Sequence, residues 1–158
     1  MPKFTVRTQA MLAALTLATG FLATAAEAGE CPAGKTMTDA TKPATHAAKG
    51  VTDTVLTAIE LGQEPAKIDG RKLRLRRLVI EPGGIVPWHS HGDRPAIIYI
   101  VQGEVIEHAS NCAAPIVHKA GEATAETAKV SHWWENKGKQ QVILLSADLL
   151  RDPTDHNM

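Results

Sequence analysis

Aromatic side chains are scarce in this chain of 158 residues: three tryptophans, two phenylalanines and one tyrosine. Wherever an aromatic does occur, its position therefore carries information. Net charge is also missing, because seventeen lysines and arginines balance seventeen aspartates and glutamates. Neither the basic footprint of a nucleic-acid binder nor an acidic tail is present, so nucleic acid is not an expected partner. No repeat of solenoid type occurs, which excludes an array. There are only two cysteines, too few for a disulfide scaffold or a four-cysteine zinc site. What is present is an ordinary apolar fraction of 44%. That is enough for a real core, and the length points to one domain.

The N-terminus reads as a leader rather than part of the fold. Lys3 and Arg7 give a positive start, Met11 to Ala26 is apolar, and Ala26-Glu27-Ala28 ends the run with small residues. Residues 1–28 are thus expected to be a secretory signal peptide, cleaved before Gly29. The apolar run falls short of the roughly 20 residues that span a bilayer, so no stable membrane insertion is expected after cleavage. A periplasmic or secreted protein follows. In such an oxidising compartment Cys31 and Cys112 are expected to pair, stapling an irregular arm, residues 29–50, onto the body. Residues 151–158, with Asp152-Pro153, read as a surface tail.

Between arm and tail, residues 51–150 carry the pattern of an all-β domain. Val51 to Leu61 fits a short helix or a first strand equally well. Asp69-Gly70 is a hairpin-type turn. From Arg71, Leu73 and Leu75 alternate with Arg74 and Arg76. The double arginine at 76 and 77 suggests a bulge or a sheet edge, and the basic face reads as solvated. Ile97 to Val101 is a continuous apolar run, suited to a strand covered on both faces. Further strand-like segments follow at Glu104–Ile106, Ile116–Val117, Val130–Trp134 and Gln141–Leu145. Turn signals recur every 8 to 12 residues or so, as in a sandwich or barrel.

The stretch Pro82-Gly83-Gly84-Ile85-Val86-Pro87-Trp88-His89-Ser90-His91 organises the rest. Two histidines one residue apart face the same side of an extended strand. Neutral imidazole is the commonest ligand of transition metals. Five residues separate Gly83 from His89-x-His91, four separate His91 from Ala96, and six separate Ala96 from Gly103. Downstream, Gly121, His132 and Asn136 keep a second fixed spacing. Each tryptophan lies beside a candidate ligand: Trp88 before His89, and Trp133 and Trp134 after His132. By strand parity Trp134 points inward with His132 and is a candidate to line a pocket, whereas Trp88 and Trp133 pack outward. His46, His108 and His118 read as surface residues, and Asn136 as a turn residue.

These spacings resemble the two-part signature of the cupin superfamily, P-G-x5-H-x-H-x4-E-x6-G and G-x5-P-x-G-x2-H-x3-N, over about residues 73 to 148. The resemblance implies a double-stranded β-helix, the jelly-roll or cupin barrel. It also implies one divalent transition metal held by His89, His91 and His132. Three positions depart from the pattern: Ala96 stands where the glutamate ligand belongs, and Thr127 and Lys129 replace the proline and glycine of the second half. Three imidazoles without a carboxylate would leave a +2 centre with open positions on one face, taken by water or substrate. Glu104, Glu107 and Glu126 are the candidates to replace the missing carboxylate. The resemblance further implies a small-molecule ligand or substrate, and a homodimer formed through sheet edges. The function expected is a metal-dependent, dioxygenase-like oxidoreductase, with iron as its metal and zinc, nickel, manganese or copper as the alternatives. The other reading is a non-catalytic module that holds metal or a small ligand. No catalytic base or nucleophile is identifiable beside the histidines.

Overall fold

The computed structural model describes residues 30–151. The leader expected over 1–28, and all of the expected tail beyond Arg151, lie outside the described residues. Among the described residues there is no helix, and every strand pairing is antiparallel. The strands are β1 (Lys49–Glu60), β2 (Lys72–Ser90), β3 (Ala96–Gln102), β4 (Glu104–Ala109), β5 (Ile116–Lys119), β6 (Ala123–Glu126), β7 (Ser131–Glu135) and β8 (Val142–Leu150). They follow the order β5-β4-β7-β2-β8-β3-β6, with β1 also on β2. The sheet curls into a nearly closed barrel, the all-β jelly roll that the resemblance implied.

The long strand β2 organises the barrel. Its first half, Lys72 to Ile80, pairs with β8. Its second half, from Ile85 to Ser90, pairs with β7. The change of partner falls at Pro82-Gly83-Gly84. Gly83 has φ 72°, a conformation that favours glycine. A side chain at Gly84 would sit 2.7 Å from the Glu81 carbonyl and 2.8 Å from Ile80 Cγ2. Asn136 clamps this bend, donating from Nδ2 to the Ile80 carbonyl at 2.9 Å and to the Gln140 carbonyl at 2.8 Å. It is therefore the turn residue that its position suggested.

One open reading is settled, and the reading of the arginines is corrected. The segment from Val51 to Glu60, ambiguous in period, is strand, and its Val and Thr content suits one. Arg76 and Arg77 do not bulge β2, because the β2–β8 ladder runs unbroken from Lys72 to Ile80 and the irregularity lies opposite, in β1 between Val55 and Thr57. The parity is also the reverse of a solvated basic face. Arg76 is buried, with only 4% of its surface exposed, whereas Leu73 and Arg77 are exposed. The reason lies on β8. Asp148, fully buried, takes Arg74 at 3.0 and 2.8 Å, Arg94 at 2.9 Å and Arg76 at 3.3 Å. Arg76 also pairs with Asp53 of β1. Burial raises the Asp148 carboxyl, but the hydrogen bond from Arg74 and the arginine charges outweigh it, so its pKa falls below the usual carboxylate value. Paired in this way, the arginines can face inward.

The core proper lies between the sheet halves: Leu78, Ile80, Ile98, Ile100, Val105 and Leu144, with Trp134 as its one aromatic. Ile97 to Val101 is not covered on both faces. Its even positions are buried and its odd positions exposed. Cys31 and Cys112 form a disulfide, with Cα atoms 5.6 Å apart. It ties the arm down beside the one-residue bridge between Thr36 and Cys112.

Candidate metal centre

His89 and His132 are directly paired across β2 and β7. His91 lies one residue past the end of β2, on the same side as His89. Glu126, the last residue of β6, closes the group. All four side chains are buried, and each offers a ligand atom within 4.8 Å of the others. His91 Nε2 lies 2.7 Å from Glu126 Oε2, His132 Nε2 lies 3.4 Å from Glu126 Oε1, and the Nε2 atoms of His89 and His91 are 3.2 Å apart.

The position of Glu126 corrects the expectation of an empty corner. Ala96 does face the interior and is buried. Its cross-strand partner on β6 is Glu126. The carboxylate missing from β3 is thus supplied by the next strand, from the register position opposite. The donor set is three imidazoles and one carboxylate, and a divalent ion there would carry net charge +1, not +2.

Hydrogen bonds fix which nitrogen of each histidine faces the centre. His89 Nδ1 donates to the Pro87 carbonyl at 2.9 Å, and His91 Nδ1 to the Arg94 carbonyl at 3.0 Å. His132 Nδ1 donates to Glu107 Oε1 at 2.5 Å. A carbonyl can only accept, and ionised Glu107 can only accept, so each Nδ1 carries the proton. Each Nε2 then presents a lone pair inward. Two such lone pairs 3.2 Å apart, beside a carboxylate, repel unless a cation lies among them. His132 Nε2 is buried and has no hydrogen-bond partner among the described residues. These residues therefore fit a divalent transition metal, which imidazole and carboxylate donors both suit.

The electrostatics agree. Burial, reinforced by the charge of His132, pushes the His89 pKa down to about 3, so it is a neutral ligand at ordinary pH. Burial lifts the Glu107 carboxyl, but hydrogen bonds from His118 and His132 outweigh it and hold it at about 2. For His132, burial lowers the pKa, but Glu107 and Glu126 together raise it. That is the pattern of a base in a negative pocket, open equally to a proton or a metal ion.

A second layer holds the ligands in place. Glu107 bridges His132 and His118, accepting from His118 Nε2 at 2.8 Å. His118 stacks on Trp134, with ring centroids 4.7 Å apart and planes 9° from parallel. Trp134 Nε1 lies 3.3 Å from His132 Nδ1, an edge contact, because that nitrogen's proton already points to Glu107. Arg94 fixes its backbone carbonyl against His91 while its guanidinium grips Asp148. His118 is thus a buried prop rather than a surface residue. His108 is half-buried, pairs with Glu135 at 2.7 Å and stacks on Trp133. Parity was the signal for the second layer. Glu107 shares the inward positions of β4 with Val105 and Ala109, and His118 shares those of β5 with Ile116. Of the other glutamates, Glu104 faces outward and stays exposed.

Two cavities flank the centre. The larger, about 390 Å³, opens to solvent past Glu107, Glu126, His132, Thr127 and Val130, with Cys31 on its rim. The smaller, about 20 Å³, lies inside the barrel, where Trp134 joins His89, His91 and Glu126 against Leu78 and Ile98. That is room for about one water-sized molecule. Trp134 therefore lines the interior as parity implied, while Trp88 and Trp133 are half-buried.

A cupin domain model matches residues 76–148. No curated protein matches the chain in sequence. Among solved structures, the cupin domain of Schizosaccharomyces pombe Cnp3 is 15% identical with a TM-score of 0.50, over 66% of each chain. A recombinant oxalate oxidase in complex with glycolate is 22% identical with a TM-score of 0.50, over 66% of this chain and 53% of that one. A predicted oxalate decarboxylase of Thermotoga maritima is 21% identical with a TM-score of 0.46, over 66% of this chain and 99% of that one. The chain thus spans about two thirds of the Cnp3 domain and about half of the oxidase. At these identities the likeness is one of fold. Taken with the barrel, the domain match shows that residues 76–148 form a cupin domain with the cupin fold.

Proposed function

We propose that the protein is an exported, metal-dependent oxidoreductase that acts on a small molecule admitted through the open cavity. The observation that carries this reading is the convergence of three Nε2 atoms and the Glu126 carboxylate in a buried pocket, with every Nδ1 fixed by an acceptor. His89, His91, Glu126 and His132 would hold one divalent ion. Bound there, such an ion supplies Lewis acidity and, if it is iron or manganese, one-electron chemistry with dioxygen. The protein's own residues do the rest. Glu107 keeps the His132 proton on Nδ1 and orients the ring. Glu126 offsets part of the metal charge. The apolar wall of Leu78, Ile98 and Trp134 excludes bulk water from the inner side. An oxygen-bearing ligand enters from the Glu107 side, where the cavity is wide enough for one. The disulfide and the leader-like N-terminus support export to an oxidising compartment.

A non-catalytic holder of metal or ligand is favoured by one observation. Both buried carboxylates at the mouth, Glu107 and Glu126, already engage histidines, so neither stands ready as a general base. Elemental analysis followed by oxygen uptake across a panel of small carboxylates, diketones and thiols separates the two. Stoichiometric redox-active metal with turnover supports the enzyme. Stoichiometric metal without turnover on any of them supports the holder. Protein purified from its own compartment without metal overturns both.

A further inference from the structure

The inner cavity beside the metal centre holds a cation that the centre does not use. Arg76 of β2 lines it, together with Ser146, its cross-strand partner on β8. Apart from the ligands His89, His91 and Glu126, the other walls are apolar, Ile98 and Leu144 among them. A guanidinium buried in such a place needs acceptors for all of its N–H groups. Arg76 Nη1 donates to Asp53, and Nη2 lies 3.3 Å from both Ser146 Oγ and Asp148 Oδ2. Its Nε is buried and has no hydrogen-bond partner among the described residues. The charge is also thinly matched, because Asp148 divides one negative charge among Arg74, Arg76 and Arg94. Burial accordingly pulls the Arg76 pKa down against the attraction of Asp53 and Asp148. Ser146 Oγ accepts from Arg76, which leaves its own proton to turn toward the cavity.

We propose that this cavity seats one small inorganic anion of halide size, held by Arg76 Nε and Ser146 Oγ next to the metal. Donor chemistry is the first argument. Both groups offer a proton, and a divalent ion in the centre adds a second positive charge. A water molecule accepts two such bonds but must also donate two of its own. It would find apolar walls, while the lone pairs of His89, His91 and Glu126 are turned to the metal. An anion accepts and has nothing to donate. Size is the second argument. A volume of about 20 Å³ admits a halide and excludes an organic carboxylate or a phosphate. The seat is therefore separate from the open cavity on the Glu107 side, where an organic ligand enters. It rests on the metal reading in one respect: without a cation, the histidine lone pairs and the Glu126 charge would repel an anion. Metal and anion thus bind cooperatively, each raising the affinity of the other by the same factor.

The test uses zinc, which has no redox chemistry, and bromide as the probe. Crystals of the zinc-loaded protein soaked in sodium bromide should show bromide in the inner cavity by its anomalous scattering. In solution, zinc affinity from chelator competition should rise with bromide at constant ionic strength, with sulfate, too large for the cavity, as the balancing salt. Ser146→Ala should weaken that dependence and Ile98→Phe, which fills the cavity, should abolish it, with zinc still bound in both. Asp53→Asn removes the acid beside Arg76 and should strengthen bromide binding about tenfold, one unit of nearby like charge being lost. If Arg76 only braces the barrel, Asp53→Asn lowers the melting temperature and leaves the bromide dependence as it was, which would overturn the proposal. Zinc bound with no bromide in the cavity, or bromide on the surface only, would overturn the seat alone. Failure of wild type to bind zinc would overturn the centre and the seat with it.

Discussion

Moving the carboxylate from β6 to β3 tests the centre most directly. Glu126 and Ala96 are cross-strand partners, and partner Cβ atoms in an antiparallel pair lie about 5 Å apart. A glutamate side chain from either position can therefore reach the same point. Glu126→Ala removes the only carboxylate of the four donors. Loss of a supporting residue outside the coordination sphere typically weakens metal binding roughly 10- to 100-fold, so loss of a ligand should exceed about 100-fold. Ala96→Glu alone places a second acid beside Glu126, in a buried pocket built for one. That should destabilise the metal-free protein by several kcal/mol and leave metal affinity little changed. The double variant Ala96→Glu/Glu126→Ala restores one carboxylate and should recover most of the affinity, with a melting curve near wild type. Competition titration with a chromophoric chelator, and melts with and without metal, give all four corners of the cycle. Unchanged affinity in Glu126→Ala would refute the assigned donor set. Full loss in the double variant would refute the claim that both positions face one centre.

Glu107→Gln keeps the shape but weakens the acceptor for His132 Nδ1, and metal affinity measured by the same titration should fall roughly 10- to 100-fold. Single alanine variants of His89, His91 or His132 should each reduce metal content by elemental analysis far more than His46→Ala, which lies on the surface. Mass spectrometry should find the chain two hydrogens short of the reduced mass, and reduction of a bridge spanning 81 residues should lower stability by about 4 kcal/mol. His89, held near pKa 3 when folded against 6.5 unfolded, makes the unfolded chain the better proton binder. Its contribution is therefore complete above about pH 6.5 and is lost as pH falls toward 3, at up to about 1.4 kcal/mol per pH unit. Denaturant melts of metal-free protein from about pH 7 to about pH 4 should show that slope, and His89→Asn should flatten it.

The barrel and three of its four converging donors were legible because the chain resembles a known two-part signature. His89 and His91 also share a face by strand parity, whereas His132 as a ligand was implied by the resemblance alone. Glu126 could be named only as one of three candidates. Its role rests on β6 lying beside β3, a pairing that nothing within either segment specifies. The arginines were misread for a related reason. Alternation along Leu73–Arg76 is real, but which set faces inward depends on Asp148, some seventy residues away. An aspartate buried on β8 reverses the usual sense of the pattern.

The position of β8 bears on how the chain folds. The last strand among the described residues is not an edge. It lies between β2 and β3 and hydrogen-bonds to both, and it carries the aspartate that three arginines share. Until it arrives, β2 and β3 have no common neighbour, and Arg74, Arg76 and Arg94 lack Asp148, the counter-ion they share. Such non-local closure makes for slow folding, because loop entropy must be overcome before the contacts form. A chain cut before Val142 should therefore remain open however much of β1 to β7 it contains. The β2–β7 ladder that pairs His89 with His132 does not include β8, but Glu126 reaches them through β6, β3 and β8. An ion that needs all four donors would then lock a finished barrel, not nucleate one.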